Sequence, residues 1–173
     1  LVAYEEGSLY CFDKKDYSIR WSLKLGEVLA PVFVSNSTAV IAVSGLKKSN
    51  LFFIDINDGS IKKNIKLEGR VHLGPILYND TLFIFDDRKV YCIDKNYEIL
   101  WKFENDGSIK ANPVLDEEIM AIYICLSDGK ICALDFRGKL LWEKFCGRVN
   151  KTPLIHGDKI IMISEDNLLF CLN

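Results

Sequence analysis

Apolar residues in this chain come in short runs, among them Ile119–Leu126 and Ile160-Ile-Met-Ile163, and polar turn residues follow both, Ser127-Asp128-Gly129 and Ser164-Glu165-Asp166-Asn167. No stretch carries the three-and-four spacing of an amphipathic helix, so the pattern predicts β-strands throughout. From Pro113 onward the prediction is explicit. Pro113-Val-Leu is a short strand, Ile119–Leu126 a longer buried one, and Lys130–Asp135 and Lys139–Phe145 a pair joined by the turn Phe136-Arg137-Gly138. The turn Asn57-Asp58-Gly59 predicts the same hairpin earlier in the chain, because Asn, Asp and Gly tolerate positive φ.

This four-strand phrase recurs. The acid that closes the third strand stands at Asp13, Asp55, Asp94 and Asp135, with Asn173 in a fifth, incomplete copy; the intervals are 42, 39, 41 and 38 residues. All four prolines, Pro31, Pro75, Pro113 and Pro153, share one phase, and Gly26, Gly69, Gly107 and Gly147 precede them. The only tryptophans, Trp21, Trp101 and Trp142, share another phase, and Lys63 takes that place in the second copy. Proline suits the start of a strand, where the ladder needs no N–H from it. Units of about 40 residues with four strands are the period of β-propeller blades. The predicted fold is therefore all-β, with four-stranded antiparallel blades. Residues 1–30 form a partial blade, 31–68, 75–105 and 113–146 form complete blades, and 153–173 form a second partial one. Leu1–Tyr4 has the phase of a second strand and Leu168–Asn173 that of a third. The expectation is a C-terminal arc of a larger ring, with a compact four-bladed ring as the alternative.

Composition narrows the function classes. The 22 basic and 24 acidic residues are mixed along the chain and leave a formal charge of −2, so no concentrated basic face for nucleic acid is expected. Even the run Ile119–Leu126 is far too short to span a bilayer. The chain begins at Leu1, so the lack of a signal peptide carries no information. The six cysteines read as small buried apolar residues of a reducing compartment, with Cys125 and Cys132 placed where they could meet across a turn. Three glycosylation sequons, at Asn36, Asn79 and Asn150, point the other way, toward a secretory lumen.

No catalytic constellation emerges. His72 and His156 lie on opposite sides of their prolines and read as surface or blade-edge residues. Asp55-Ile-Asn57-Asp58-Gly59 lacks the ligand spacing and closing glutamate of a calcium loop. Gly129-Lys130 lacks the rest of a phosphate loop. Asp86-Asp87-Arg88-Lys89 reads as an ordinary solvated turn.

The order Asp, turn, Gly, Trp, Pro resembles the PQQ-like repeat family of β-propellers. Ala133-Leu-Asp135 with Gly138-Lys139 and Trp142 carries the resemblance most fully, and Cys11-Phe-Asp13 with Trp21 and Cys92-Ile-Asp94 with Trp101 follow. The second copy keeps Asp55 and Gly59 but not the tryptophan. The resemblance implies that the tryptophans pack between blades, a structural task. Within the family, Pro153, Asp166-Asn167 and Phe170-Cys171-Leu172 resemble the ending of the C-terminal propeller of the β-alanine-activating enzyme, an acyl-adenylating relative of acyl-CoA synthetases. That likeness implies a non-catalytic module in a cytoplasmic parent, docking other domains or a protein partner. The alternative is a stand-alone scaffold in a secretory or periplasmic compartment, similar to outer-membrane assembly lipoproteins or luminal sensors. Quinone-dependent dehydrogenases share the repeat, but their adjacent cysteine pair and a carboxylate cluster for calcium are missing, so no quinone and no metal are expected.

Overall fold

The structure is a computed structural model that describes residues 2–3 and 7–172. Leu1, Tyr4 and Asn173, at the ends of the expected first and last strands, lie outside the described residues. The elements form five antiparallel sheets in sequence order. The first contains β1 (Val2–Ala3), β2 (Ser8–Phe12) and β3 (Ile19–Lys24). The second contains β4 (Phe33–Ser35), β5 (Thr38–Ser44), β6 (Ser49–Asp55) and β7 (Ile61–Leu67). The third contains β8 (Ile76–Tyr78), β9 (Thr81–Phe85), β10 (Lys89–Ile93) and β11 (Ile99–Glu104). The fourth contains β12 (Val114–Asp116), β13 (Ala121–Cys125), β14 (Lys130–Asp135) and β15 (Leu140–Phe145). The fifth contains β16 (Leu154–His156), β17 (Lys159–Ile163) and β18 (Leu169–Leu172). Each strand pairs with its sequence neighbour, an up-and-down meander. Two compact units divide the chain, Leu1–Gly74 with the first two sheets and Pro75–Asn173 with the last three.

Burial is graded across the sheets. The inner strands β10 and β13 are buried at every residue, whereas the outer strands β3, β7 and β11 alternate exposed and half-buried positions. A strand covered on both faces has no reason to alternate; an outer strand with one face in water does. The core of the first unit joins Leu9 to Ala39, Ile41, Val43 and Ile54. In the second unit a core of Tyr123, Ile131, Ala133, Val149, Ile160 and Met162, with further small and sulfur-bearing neighbours, joins the fourth and fifth sheets. Each fully buried Ile or Leu contributes roughly 1.5–3 kcal/mol of transfer free energy. The linkers between sheets extend this coupling through backbone bonds: Ser44 N donates to Glu27 O at 2.8 Å, Lys110 N to Cys125 O at 3.0 Å and Glu165 N to Arg148 O at 2.7 Å.

Several sequence expectations are corrected here. The prolines stand just before the first strands rather than in them, because β4, β8, β12 and β16 begin at Phe33, Ile76, Val114 and Leu154. The strand expected over Ile119–Leu126 runs only from Ala121 to Cys125. Ile119 is exposed in the turn before it, and Met120 there adopts φ 57°, which ends the extended backbone. The apolar run Ile160–Ile163 is not uniformly buried in β17: Ile160 and Met162 are buried, while Ile163 is half exposed. Asp86 is no solvated turn residue but 1% exposed; its carboxylate accepts from Arg88 N at 2.8 Å, Lys89 N at 2.7 Å and the Tyr91 hydroxyl at 2.8 Å. Three donors compensate its desolvation, which is why a charged group is tolerated there. All six cysteines are free. Cys92, Cys125, Cys132 and Cys146 are buried, but Cys11 is only half-buried and Cys171 is exposed. Cys125 faces Ile131 and Cys132 faces Ile124, so the two thiols are not a cross-strand pair.

Candidate functional site

The recurring aspartates organise the turn between third and fourth strands. Asp13, Asp55, Asp94 and Asp135 each accept, through Oδ1, the amide two residues on, at 2.9 Å in all four copies. Asp94 and Asp135 also accept from Glu98 N and Lys139 N, each at 2.8 Å. At Asp94 and Asp55 such bonds favour the ionised form. Backbone donation, first from Glu98, holds the Asp94 carboxyl below its ordinary value; donation from Asn57, reinforced by the Lys62 ammonium at 2.9 Å, does the same for Asp55. Just before each aspartate the ladder to the fourth strand slips at a bulge, between Cys11 and Phe12, Phe53 and Ile54, Cys92 and Ile93, and Ala133 and Leu134. An extra residue sharpens the local twist there and aims the turn out of the sheet.

That turn is what the tryptophan of the preceding blade grips. Trp21, on β3, donates its indole Nε1–H to Ile56 O at 2.9 Å. Trp101, on β11, donates to Phe136 O, also at 2.9 Å. Both acceptors lie one residue past the closing aspartate of the next sheet, and both bonds span 35 residues. The ring then lies against a glycine of the same turn. A Cβ on Gly59 would come within 2.9 Å of Trp21 Cδ2, and one on Gly138 within 2.6 Å of Trp101 Cε3. Both glycines have φ near 80°, at 78° and 79°, so backbone conformation and close approach demand glycine together. Phe136 completes the second dock, its ring 5.2 Å from both Phe83 and Tyr78, with Phe83 6.0 Å from Trp101.

Where the tryptophan is missing, the glycine is missing too. The second copy carries Lys63, and the turn of the following copy carries Tyr97 at φ 64° in place of glycine. The turn of the first copy likewise carries Tyr17, at φ 58° and 80% exposed. Trp142, on β15, is different again. Its ring is 5.7 Å from Tyr123, the counterpart of the Phe83–Trp101 pair, but among the described residues nothing accepts from its Nε1. It borders a cavity of about 240 Å³ that Asp116, Glu118, Tyr123, Asp158 and Ile160 also line. The Tyr123 hydroxyl donates to Asp116 Oδ2 at 3.4 Å, and burial pushes the phenol up to about 12.

The remaining sequence candidates do not converge on chemistry. His72 and His156 are both exposed. Pro31 is exposed, Pro75 and Pro113 lie immediately before β8 and β12, and Pro153 is buried before β16. Among the described residues no group of three or more His, Cys, Asp or Glu is placed to hold a metal ion. Burial pushes the Cys125 thiol up to about 12 and those of Cys92 and Cys132 up to about 11, so these sulfurs stay protonated and weakly nucleophilic. No helix among the described residues is long and apolar enough to cross a membrane.

Comparison with known proteins fits this geometry. No curated protein sequence matches the chain. Among solved structures, the BamB protein of Moraxella catarrhalis superposes with a TM-score of 0.78 at 19% identity, covering 98% of this chain and 56% of that one. The computationally designed Ika8 protein gives 0.77 at 13% identity, over 98% of this chain and 53% of that one. The designed Ika4 protein gives 0.67 at 14%, over 85% of this chain and 91% of that one. The chain thus spans little more than half the length of the first two, and these likenesses establish a β-propeller fold. The profile described as outer membrane protein assembly factor BamB matches residues 1–173, and the chain therefore belongs to this PQQ-like repeat family.

Proposed function

We propose that this chain is a non-catalytic β-propeller scaffold that holds a protein partner at its blade-edge loops, in the manner of an outer-membrane assembly factor and in a periplasmic or secretory compartment. The observation that carries the reading is the profile match across the whole chain. The site geometry supports it: the repeated Asp, Trp and Gly positions act on one another, turn on indole, rather than converging on a substrate. Asp86, the buried carboxylate, is likewise occupied by its own turn.

A second reading rests on the thiols. All six cysteines are free, and four of them are buried, which favours a reducing compartment. It would make the chain part of a cytoplasmic adenylating enzyme of the β-alanine-activating type, consistent with the Phe170-Cys171-Leu172 ending. Immunoblotting of fractionated native cells separates the two. A propeller-sized band in the periplasmic, luminal or membrane fraction is expected. A much larger cytosolic band that adenylates β-alanine would overturn the scaffold reading in favour of the enzyme.

A further inference from the structure

We propose that the tip of the β5–β6 hairpin, Gly45-Leu46-Lys47-Lys48, is a contact for an anionic lipid surface, with Leu46 entering the headgroup boundary and the two lysines meeting lipid phosphates. Such a contact is additional to the protein partner of the scaffold reading. Register sets this hairpin apart. In the third and fourth sheets the last rungs before the turn are Phe85 with Val90 and Cys125 with Ile131, so that Val90 and Ile131 stand four residues before the closing Asp94 and Asp135. In the second sheet the equivalent rung, Ala42 with Leu51, is followed by two more, Val43 with Asn50 and Ser44 with Ser49. At about 3.4 Å per residue, this hairpin is roughly 7 Å longer at its tip. The neighbouring linkers brace its base and stop short of that tip. Ser44 N donates to Glu27 O at 2.8 Å, the Ser44 hydroxyl donates to Val71 O at 2.9 Å, and the Ser49 hydroxyl accepts from Val71 N at 2.9 Å. Both serines are buried. In the third and fourth sheets the linkers bond to the tips themselves: Ile109 N donates to Asp87 O and Asn105 N to Arg88 O, and Ser127 N donates to Ser108 O.

Residue type and charge then choose the occupant. Gly45, Leu46, Lys47 and Lys48 are all exposed, Leu46 at 95%, and among the described residues no large apolar side chain is more so. A solitary leucine on a flat surface is ordinary; here it is carried outward on a braced hairpin beside two lysines. The corresponding tips, Asp86-Asp87-Arg88-Lys89 and Ser127-Asp128-Gly129, contain acids, whereas this one has none. Protein interfaces are poor in lysine, and their energetic centres are poor in leucine. A lipid boundary accommodates both, the apolar side chain below the headgroups and the ammonium groups at their phosphates. With a formal charge of −2 the chain as a whole has no general attraction to an anionic surface, so the contact must be local.

The test is co-sedimentation of the intact protein, at millimolar lipid, with vesicles of mixed phosphatidylcholine and phosphatidylglycerol and with vesicles of phosphatidylcholine alone. Binding to the mixed vesicles is expected, weakening as salt is raised, with little binding to the neutral ones. Leu46→Ser should lower the partition at least about tenfold. Lys47→Gln with Lys48→Gln should lower it about twentyfold, near fivefold for each charge. All three side chains are exposed, and an unchanged denaturation midpoint certifies the fold of each variant. Lys14→Gln with Lys15→Gln removes the same charge from the exposed turn after β2 and should leave binding intact. Failure of the unaltered protein to sediment with the mixed vesicles would overturn the proposal and leave the tip to a protein partner. Equal sedimentation with the neutral vesicles, or equal binding by Leu46→Ser, would overturn it too. So would an equal loss from the Lys14 and Lys15 exchange, which would mean that charge anywhere on the chain suffices. None of these failures touches the scaffold reading, which stands or falls on fractionation.

Discussion

Trp101 and Trp142 occupy the same position of consecutive blades, each on the outer strand, each half-buried, each tilted against an aromatic residue of its own sheet. One is covered by the turn of the next sheet and donates to it; the other opens onto a cavity. The difference lies in what meets the side chain.

The sharpest way to break the comparison is to spoil the turn. Gly138→Ala places a Cβ 2.6 Å from Trp101 Cε3 in a residue at φ 79°, so overpacking and left-handed strain act together. A loss of about 2–4 kcal/mol is expected, read from the denaturation midpoint at unchanged m. Under about 1 kcal/mol, the close approach would not be a constraint.

Replacing the indoles separates bonded from open. Trp101→Phe removes the donor to Phe136 O and should destabilise by about 1–2 kcal/mol. Trp142→Phe removes an N–H with no acceptor among the described residues and should change stability by less than about 1 kcal/mol. Equal losses from the two would mean that Trp142 carries a structural bond after all.

Much of the fold can be read in the sequence because each blade repeats its punctuation. The closing aspartate is marked by its phase and does its work locally, through amides two and four residues away, so its own neighbourhood suffices to predict a turn. The joint between blades was harder to see. Trp21 with Gly59 and Trp101 with Gly138 are non-local pairs, and the signal for them, the joint loss of both residues at Lys63 and Tyr97, appears only when adjacent copies are read against each other. The burial of Asp86 had no such signal: a cluster of two acids and two bases looks solvated unless Tyr91 is known to fold back on it. The bulges leave no residue type of their own, since they are set by how two strands twist together.

A smaller effect tests a turn that carries tyrosine in place of glycine. Tyr17 is 80% exposed at φ 58°. Tyr17→Gly relieves left-handed strain of about 1 kcal/mol while adding unfolded-state entropy of similar size. The net change should lie within about 1 kcal/mol of zero, against the loss expected for the opposite exchange at Gly138. A large destabilisation at Tyr17 would show that side chain to be anchored.

The smallest effect is the acid response of the turns themselves. Asp55 closes the turn that Trp21 meets and Asp94 follows the copy that carries Lys63, yet backbone donation lowers the pKa of both from the ordinary 3.8. A carboxylate whose folded-state pKa is depressed adds stability that is fully present above its unfolded value. That stability is lost as the pH falls below 3.8 through the lowered folded value. Asp94→Asn should therefore flatten the fall in stability across that acid window while leaving its shape above about pH 5 unchanged. Asp55→Asn should do the same with an added salt dependence, because Lys62 contributes to its shift. Both groups are half-buried at the surface, so water still screens the gain, and the turn geometry sets it. If Asp55→Asn alone flattened the acid limb, the Lys62 ammonium rather than backbone donation would be setting the shift, and the two turns would differ in electrostatics despite the same backbone pattern.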